Sequence, residues 1–248
     1  MLVIGVDEVG LGPAFGPVVA CAYHPFLSTL KELEELLEWG KSEGKDSKMR
    51  SPKQRAALIP LLKQYGDYKI SCGTVQEINT LNIHQASLLA MKRAVEGLRE
   101  RVKSDRVLVD GKNLIPGIDK RSQSAVVKGD CKVVAIACAS IIAKEFRDAF
   151  IVRLASWPQF SVYGLEIHKG YTTSAKKGEP GKHELAIARY GATPLHHLNN
   201  KAVIRAQNKF LGLDIAPVLL DNQFTTKTES QLCLQLQQLS LNLEAASY

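Results

Sequence analysis

Apolar positions in the first third of the chain fall into short runs that predict β-strands. Residues 2–6 form a continuous apolar run, which is too short for a free-standing helix and too apolar for a surface strand. It therefore predicts a strand covered on both faces. A second apolar run covers residues 18–23, and residues 68–75 show partial alternation. Three strands in succession predict a meander.

Helical patterns lie between the second and third of these runs and again after the third. Residues 30–39 are acidic with helical spacing, and Ser51 with Pro52 predicts an N-cap and first turn for a helix over residues 53–65. Apolar residues recur at helical spacing within residues 77–102, which predicts one long amphipathic helix.

The second half of the chain alternates strands and helices before its pattern becomes irregular. Residues 106–110 predict a strand, residues 125–127 a short strand and residues 133–154 a helix. Strands followed by helices that return across a sheet indicate an α/β domain. Beyond Trp157 the chain is basic and irregular, with helices predicted at residues 182–190 and 228–243.

The charge balance favours polyanionic partners. The 248 residues include 32 Lys and Arg against 25 Asp and Glu, which gives a formal net charge of +7 and a pI near 9.1. A basic surface attracts nucleic acid, but net charge alone does not identify the partner.

The cysteines argue against structural zinc and against a disulfide framework. Five cysteines are an odd number, and none stands at CxxC or Cys/His ligand spacing. Cys21 and Cys138 lie in apolar stretches and are predicted to be core residues. The first strand begins at the N-terminus, and no apolar run is long enough to span a bilayer. We therefore expect a cytoplasmic, reduced protein without membrane attachment.

Four acids stand at or after predicted strands. Asp7 and Glu8 follow the first apolar run, and a glycine-rich turn, GLGPAFGP, begins two residues later. Taken alone, such a pair is more often a solvent-exposed strand end. Asp110 repeats the arrangement before a glycine, and Asp130 follows a third short strand. If these acids meet at one edge of the sheet, their oxygens suit two Mg²⁺ or Mn²⁺ ions about 4 Å apart.

Several stretches stand in a fixed order along the chain: GVDEVGLGPAFGPVV, KDSKMRSPKQR, INTLNIHQASLLAMKRAV, LVDG, VVKGDCKVVAIACASIIAKEFRD and HKGY. Over residues 2–198 they resemble the motifs of the type 2 ribonucleases H, the ribonuclease HII family. The resemblance implies an α/β fold, a ribonuclease H-like mixed sheet flanked by helices. It implies a catalytic domain over residues 1–198 and a smaller C-terminal helical extension over residues 199–248.

The resemblance also implies roles for individual residues. Asp7, Glu8, Asp110 and Asp130 match the catalytic acids that bind two Mg²⁺ or Mn²⁺ ions. In the family, one metal activates water for in-line attack and the other stabilises the leaving 3′ oxygen, which yields 5′-phosphate and 3′-hydroxyl ends. The implied partner is an RNA/DNA hybrid or ribonucleotide-containing duplex DNA, with work in DNA replication and repair, and we expect a monomer.

Substrate-binding residues also carry over by resemblance. The set comprises Gly10, Leu11 and Gly12 in the glycine turn that reads the 2′-hydroxyl, Lys45, Asp46, Ser47 and Lys48 in the basic loop, and Tyr171 of HKGY at the sugar of the RNA to DNA junction. An aromatic ring can test the sugar, and the 2′-hydroxyl distinguishes RNA from DNA.

Three departures from the family pattern affect substrate recognition. Leu11 stands where the family has arginine, about seven extra residues lie within TSAKKGEPGK after Tyr171, and HHLNNKAV replaces an arginine-rich segment. None of these changes touches the catalytic acids.

Other polar residues have two readings. Lys128 and Lys144 can neutralise phosphates, and Lys144 can equally snorkel at the edge of a core. We predict that His168, His196 and His197 are structural or flank the substrate, because metal-activated water needs no histidine base. Tyr163 and Trp157 are predicted to be core residues.

Three functions remain in competition. The leading hypothesis is an endonuclease that cuts RNA hybridised to or embedded in DNA. A second is a divergent paralogue that binds hybrids with weak or altered cleavage, motivated by Leu11. A third, a DNA nuclease or recombinase of the same fold, is disfavoured by the HKGY and DSK motifs.

Overall fold

The computed structural model describes residues 2–37, 50–174 and 178–209. These residues divide into two compact units. The first unit contains residues 2–9, 18–73 and 87–147, and the second contains residues 10–17, 74–86 and 148–209 within the described part.

The first unit contains a mixed β-sheet. Its five described strands are β1 Val3–Val9, β2 Val18–Pro25, β3 Gly66–Gly73, β4 Arg106–Asp110 and β5 Gln123–Val126. They stand in the order β3-β2-β1-β4-β5. The first three strands pair antiparallel, which confirms the predicted meander, and β4 pairs parallel with both β1 and β5. The predicted α/β class is therefore confirmed.

Helices connect and follow the strands. The described helices are α1 Leu30–Leu36, α2 Pro52–Gln64, α3 Val75–Leu81, α4 Ile83–Arg99, α5 Val134–Ala155, α6 Pro158–Ser161, α7 Leu165–His168, α8 Lys182–Tyr190 and α9 Lys201–Asn208. The predictions of α2, α5 and α8 are confirmed to within one residue. Ser51 caps α2 as predicted, accepting a hydrogen bond from the Gln54 N–H.

The long amphipathic helix predicted within residues 77–102 is confirmed as α4. The short helix α3 before it was not predicted, and the two helices meet at Asn82. Asn82 has φ 85°, a left-handed conformation that ends α3. Its Oδ1 accepts hydrogen bonds from the N–H groups of His84 and Gln85 and so begins α4. Amphipathic spacing on both sides concealed this break.

The third strand lies two residues earlier than predicted. Thr74 and Glu77 form a capping box, so Val75 starts α3 instead of ending β3. The predicted helix over residues 228–243 lies outside the described residues. The domain boundary at residue 198 stays a prediction, since only α9 is described beyond it.

The two faces of the sheet are packed differently. On one face, a hydrophobic core joins strand residues such as Ile4 and Val107 to the α4 residues Ala90, Ala94 and Leu98. On the other face, Gly5 lies against the backbone of α5, where an added Cβ would be 2.3 Å from the carbonyl carbon of Ala135.

Cys21 and Cys138 are both buried in the first unit, as predicted. Neither of these two cysteines is in a disulfide. Burial raises the pKa of both thiols well above the usual value, so both are inert core residues.

The second unit has its own core. Buried side chains come from the Gly10–Pro17 segment, from the end of α5 and from the following helices, and they include Phe15, Phe150, Phe160 and Leu195. Tyr163 is buried there as predicted, and Trp157 is partly buried against the same core. Among the described helices, none is long and apolar enough to cross a membrane.

Candidate active site

Asp7 and Glu8 lie inside β1, which extends beyond the apolar run at residues 2–6. Pairing with β2 continues through Glu8 and Val9. Pairing with β4 stops one residue earlier than Asp7, at Val6 opposite Val109. Asp7 is therefore the first β1 residue beyond the described pairing with β4.

Asp7 and Asp110 stand side by side at this edge of the sheet. They are the next residues after the Val6–Val109 pair on two parallel strands. Side chains at matching positions of parallel strands project from the same face, so both carboxylates lie on the face covered by α5. Asp7 is fully buried. Alternation directs the half-buried Glu8 to the opposite face.

Asp130 reaches this edge through the turn that contains it. The Gly129–Cys131 segment is a 3₁₀ turn that follows β5. The N–H of Gly129 donates a 2.6 Å hydrogen bond to Oδ1 of Asp110. The turn that holds Asp130 is thereby tied directly to Asp110.

Gly129 contacts the candidate site directly, although the sequence pattern did not single it out. A Cβ at this position would lie 2.6 Å from Cδ1 of Ile136 and 3.1 Å from Oδ1 of Asp110. Only glycine allows the backbone to approach so closely. The preceding Lys128 is exposed and left-handed, with φ 56°. The signal available in the sequence was the glycine between Lys128 and Asp130.

The chemistry of the four acids fits a divalent cation. Their donors are all carboxylate oxygens, the ligands that hard cations prefer. Asp7 and Asp130 are both buried. Neighbouring buried carboxylates repel each other unless a cation or a proton compensates their charge.

Among the described residues, no group of three or more His, Cys, Asp or Glu side chains is already positioned to hold a metal ion. Convergence of all four acids on two ions therefore stays a prediction.

The glycine turn and Tyr171 meet within the second unit. A Cβ on Gly12 would lie 3.2 Å from Cε1 of Tyr171, so the ring packs directly on the Gly12 backbone. The Ala14 N–H donates a 2.9 Å hydrogen bond to the Gly170 carbonyl. The extra residues after Tyr171 therefore do not separate it from Gly12. Leu11 is 37% exposed and so is open to solvent.

The predicted phosphate-binding residues Lys45, Asp46, Ser47 and Lys48 lie outside the described residues. The chain on either side is tied together, because Nη2 of Arg50 donates a 2.6 Å hydrogen bond to the Leu37 carbonyl. The buried Arg55 in turn donates to the Arg50 carbonyl and forms an ion pair with Glu145.

His196 and His197 of the second unit bind the backbone. Nδ1 of His196 accepts the Thr193 N–H at 2.8 Å, and Nε2 of His197 lies 2.7 Å from the Gly16 carbonyl. Burial lowers the pKa of His196 to about 3 and that of its stacked neighbour His183 to about 2. These neutral rings are structural.

Comparisons with known proteins converge on one family. A sequence model of the family described as Ribonuclease HII matches residues 4–198. A Ribonuclease HII of Synechocystis sp. is 45% identical over 193 residues, which covers 77% of this chain and 92% of the relative.

Solved structures agree with this match. The crystal structure of ribonuclease H2 from Pyrococcus horikoshii superimposes with a TM-score of 0.66 at 25% identity, covering 86% of this chain and 100% of that one. Bst-RNase HIII in complex with Mn²⁺ superimposes with a TM-score of 0.65, covering 85% of this chain and 70% of that one. At 16% identity, the second match bears on the fold alone.

Proposed function

The chain belongs to the ribonuclease HII family, and from this premise we propose how it acts as a metal-dependent endonuclease on RNA/DNA hybrids. The proposed reaction extends to single ribonucleotides embedded in duplex DNA. It leaves 5′-phosphate and 3′-hydroxyl ends and uses two Mg²⁺ or Mn²⁺ ions.

The observation that carries the proposal is the junction of β1, β4 and the turn after β5. Asp7 and Asp110 are neighbours on parallel strands, and Gly129 ties the turn of Asp130 to Asp110. Three acids from three separate segments are thereby held at one edge of one sheet. A structural role alone gives no reason to place buried carboxylates together there.

The proposed ligands are Asp7, Glu8, Asp110 and Asp130. Glu8 joins the others if its side chain turns around the edge where pairing with β4 has ended. Bound ions supply charge stabilisation for an attacking water and for the leaving 3′ oxygen. The hydrogen bond from Gly129 leaves Asp110 one fixed orientation, so that its second oxygen stays available as a ligand.

Substrate recognition falls to residues that do not bind metal. We assign the ribose contact to Gly10, Leu11, Gly12 and Tyr171, because the ring of Tyr171 packs on the Gly12 backbone. Lys45, Asp46, Ser47 and Lys48 belong to the proposal as contacts to phosphate. The net charge of +7 supports a polyanionic substrate. The proposed enzyme is a monomer that acts in the cytoplasm, in DNA replication and repair.

A panel of labelled duplexes tests this function. The purified protein is incubated with Mg²⁺ or Mn²⁺ and a full RNA/DNA hybrid, a duplex with one ribonucleotide, or an all-DNA duplex. The proposal expects cleavage of the first two and none of the third, with ligation assays reporting the end groups. Calorimetric titration with Mn²⁺ should give two ions per chain. Cleavage of all-DNA, or an uncut single-ribonucleotide duplex, would contradict it.

One observation favours a second function, hybrid binding with weak or altered cleavage. Leu11 replaces the family's arginine and is exposed, so no cation stands at this position. This alternative would be supported if the protein binds the hybrid tightly but adding Mg²⁺ or Mn²⁺ does not increase its cleavage rate. Retention of all four acids argues for the enzyme.

A further inference from the structure

A short left-handed turn precedes Tyr171 in the second unit. Gly164, Lys169 and Gly170 have φ values of 65°, 51° and 84°. Left-handed backbone is disfavoured for a residue with a side chain such as Lys169. A turn with these conformations needs contacts that hold it in place.

His168 supplies such contacts at both ends of the turn. Its Nε2 lies 2.7 Å from the carbonyl oxygen of Tyr163. Its Nδ1 accepts a 3.1 Å hydrogen bond from the N–H of Gly170. A carbonyl only accepts and an N–H only donates, so Nε2 carries the proton and Nδ1 does not. The ring is therefore neutral in one defined tautomer.

Gly170 connects this ring to the glycine turn. Its carbonyl accepts the Ala14 N–H at 2.9 Å. A Cβ on Gly170 would lie 2.8 Å from Cβ of Phe15, so its backbone rests on that residue. The next residue, Tyr171, donates its N–H to the His168 carbonyl at 2.9 Å and places its ring on Gly12. Movement of Gly170 would therefore displace the Tyr171 ring.

We propose that His168 is a positioning residue for ribonucleotide specificity: by bonding Tyr163 and Gly170 in its neutral form, it holds Tyr171 against Gly12. This inference rests on the proposed function, in which Tyr171 tests the sugar. In this proposal His168 makes no contact with the substrate or with a metal ion. Its neutral state is a condition for reading a single ribonucleotide.

The surroundings of His168 keep it neutral near pH 7. Burial lowers its pKa from the usual value, and the nearby Lys182 and Lys169 lower it further. The Tyr163 carbonyl and Glu166 act in the opposite direction without reversing the shift. The neighbouring ring of His183, at 4.8 Å, is itself neutral. When the pH falls through this lowered pKa, a proton on Nδ1 would face the Gly170 N–H, and the hydrogen bond would break.

Three substitutions separate the two hydrogen bonds. In His168→Asn the side-chain oxygen can still accept the Gly170 N–H, whereas in His168→Gln the amide can still donate to Tyr163. His168→Ala loses both. We expect His168→Ala to lower kcat on the single-ribonucleotide duplex by about a hundredfold, the order of loss for a misplacement of about 1 Å. We expect His168→Asn to recover most of that loss and His168→Gln little of it.

A double-mutant comparison tests whether His168 acts through Tyr171. The variant His168→Ala with Tyr171→Ala should be no slower than Tyr171→Ala alone, because the ring to be positioned is already gone. Mn²⁺ binding should be unchanged in all of these proteins. Additive losses, a His168→Asn variant as slow as His168→Ala, or lowered Mn²⁺ affinity would overturn the proposal.

A pH profile of the intact protein provides an independent readout. The ratio of single-ribonucleotide to hybrid cleavage should fall as the pH drops through the His168 pKa measured by NMR. In His168→Asn this dependence should disappear. A ratio that stays constant in the wild-type protein would overturn the proposal even if His168→Ala does not fold.

Failure of the proposed function would look different. If the wild-type protein leaves the single-ribonucleotide duplex uncut, or if Tyr171→Ala changes nothing, the role of Tyr171 is wrong. The hydrogen bonds are still tested by amide exchange at Gly170, which should be slow in the wild type and in His168→Asn and fast in His168→Ala. Equal exchange in all three would overturn the inference separately.

Discussion

Gly5 of β1 packs directly on the backbone of Ala135 in α5. An added Cβ would lie 2.3 Å from the Ala135 carbonyl carbon and 2.4 Å from the Ile136 nitrogen. Both are backbone atoms, which a rotamer change cannot move aside. Because Asp7 lies two residues further along β1, this contact also helps to set the position of one of the proposed metal ligands.

Replacing Gly5 by alanine should therefore destabilise the protein. We expect Gly5→Ala to lower the free energy of unfolding by about 1–3 kcal/mol, the usual range for overpacking, and to reduce cleavage. Urea denaturation measures the first effect. The matched control is Gly97→Ala in α4, whose nearest contact is the flexible side chain of Lys69 at 3.1 Å. The free energy of unfolding of Gly97→Ala should be unchanged or should rise by up to about 1 kcal/mol, because alanine has the higher helix propensity. Equal effects would contradict the role of Gly5.

Removing one acid should separate activity from stability. We expect Asp7→Asn and Asp110→Asn each to abolish cleavage while the fold is kept. The amide oxygen of Asp110→Asn can still accept the Gly129 N–H. In buffer with a chelator, both variants should melt at a higher temperature than the wild type, because one of two neighbouring negative charges is gone. Substantial cleavage by both variants at saturating Mg²⁺ would refute the two-metal proposal.

Leu11 offers a test of phosphate contact. If the position faces the nucleic-acid backbone, Leu11→Arg should tighten binding and steepen its salt dependence. Each additional neutralised phosphate adds about 0.9 to the slope of log K against log salt for duplex DNA. Leu27→Arg adds the same charge at another exposed leucine and serves as the control. An equal slope in the wild type and in Leu11→Arg would show that the side chain does not reach the backbone.

The sequence predicted the antiparallel order of the first three strands and singled out four acids as candidate ligands. It did not predict the hydrogen bond that ties the turn of Asp130 to Asp110. Strand and helix periods are local signals, so β4 and α8 are confirmed residue for residue. The hydrogen bond of Gly129 to Asp110 links positions 19 residues apart. The break at Asn82 depends on a side chain that accepts hydrogen bonds from the backbone N–H groups of His84 and Gln85, and apolar spacing gives no sign of these bonds.

The directions of Asp7 and Glu8 illustrate the same limit. The apolar run ends at Val6, and apolar spacing alone does not indicate how far the strand continues. Pairing with β2 continues to Val9 and keeps both acids in strand conformation. Which face each carboxylate occupies is decided by this register, which places Cys21 opposite Asp7 and Ala20 opposite Glu8.

The buried histidines should make the stability of the protein sensitive to acid. His183 and His196 have folded pKa values of about 2 and about 3, against an unfolded value near 6.5. Between these values the unfolded chain binds more protons, so stability is complete above about pH 6.5 and falls as the pH is lowered. Each histidine contributes a slope of about 1.4 kcal/mol per pH unit.

Urea midpoints between pH 8 and pH 4 measure this slope. His183→Phe should flatten it without loss at pH 8, because neither ring nitrogen of His183 has a hydrogen-bond partner among the described residues. His196→Phe should be destabilised at every pH, because the Thr193 N–H loses its acceptor. A large loss at pH 8 in His183→Phe would instead indicate a buried water bound to its ring.

Tyr171 should govern which sugar is accepted without affecting metal binding. We expect Tyr171→Ala to lower cleavage at a single ribonucleotide far more than it lowers Mn²⁺ binding measured by calorimetry, with a loss on the order of a hundredfold from lost orientation. Gly12→Ala tests the same contact from the other side, because its Cβ would lie 3.2 Å from the ring and push it outward by a few tenths of an ångström. Gly12→Ala should also lower cleavage at a single ribonucleotide, but by less than Tyr171→Ala does. If cleavage and Mn²⁺ binding fall together, Tyr171 is structural; if neither changes, its ring does not test the sugar in this enzyme.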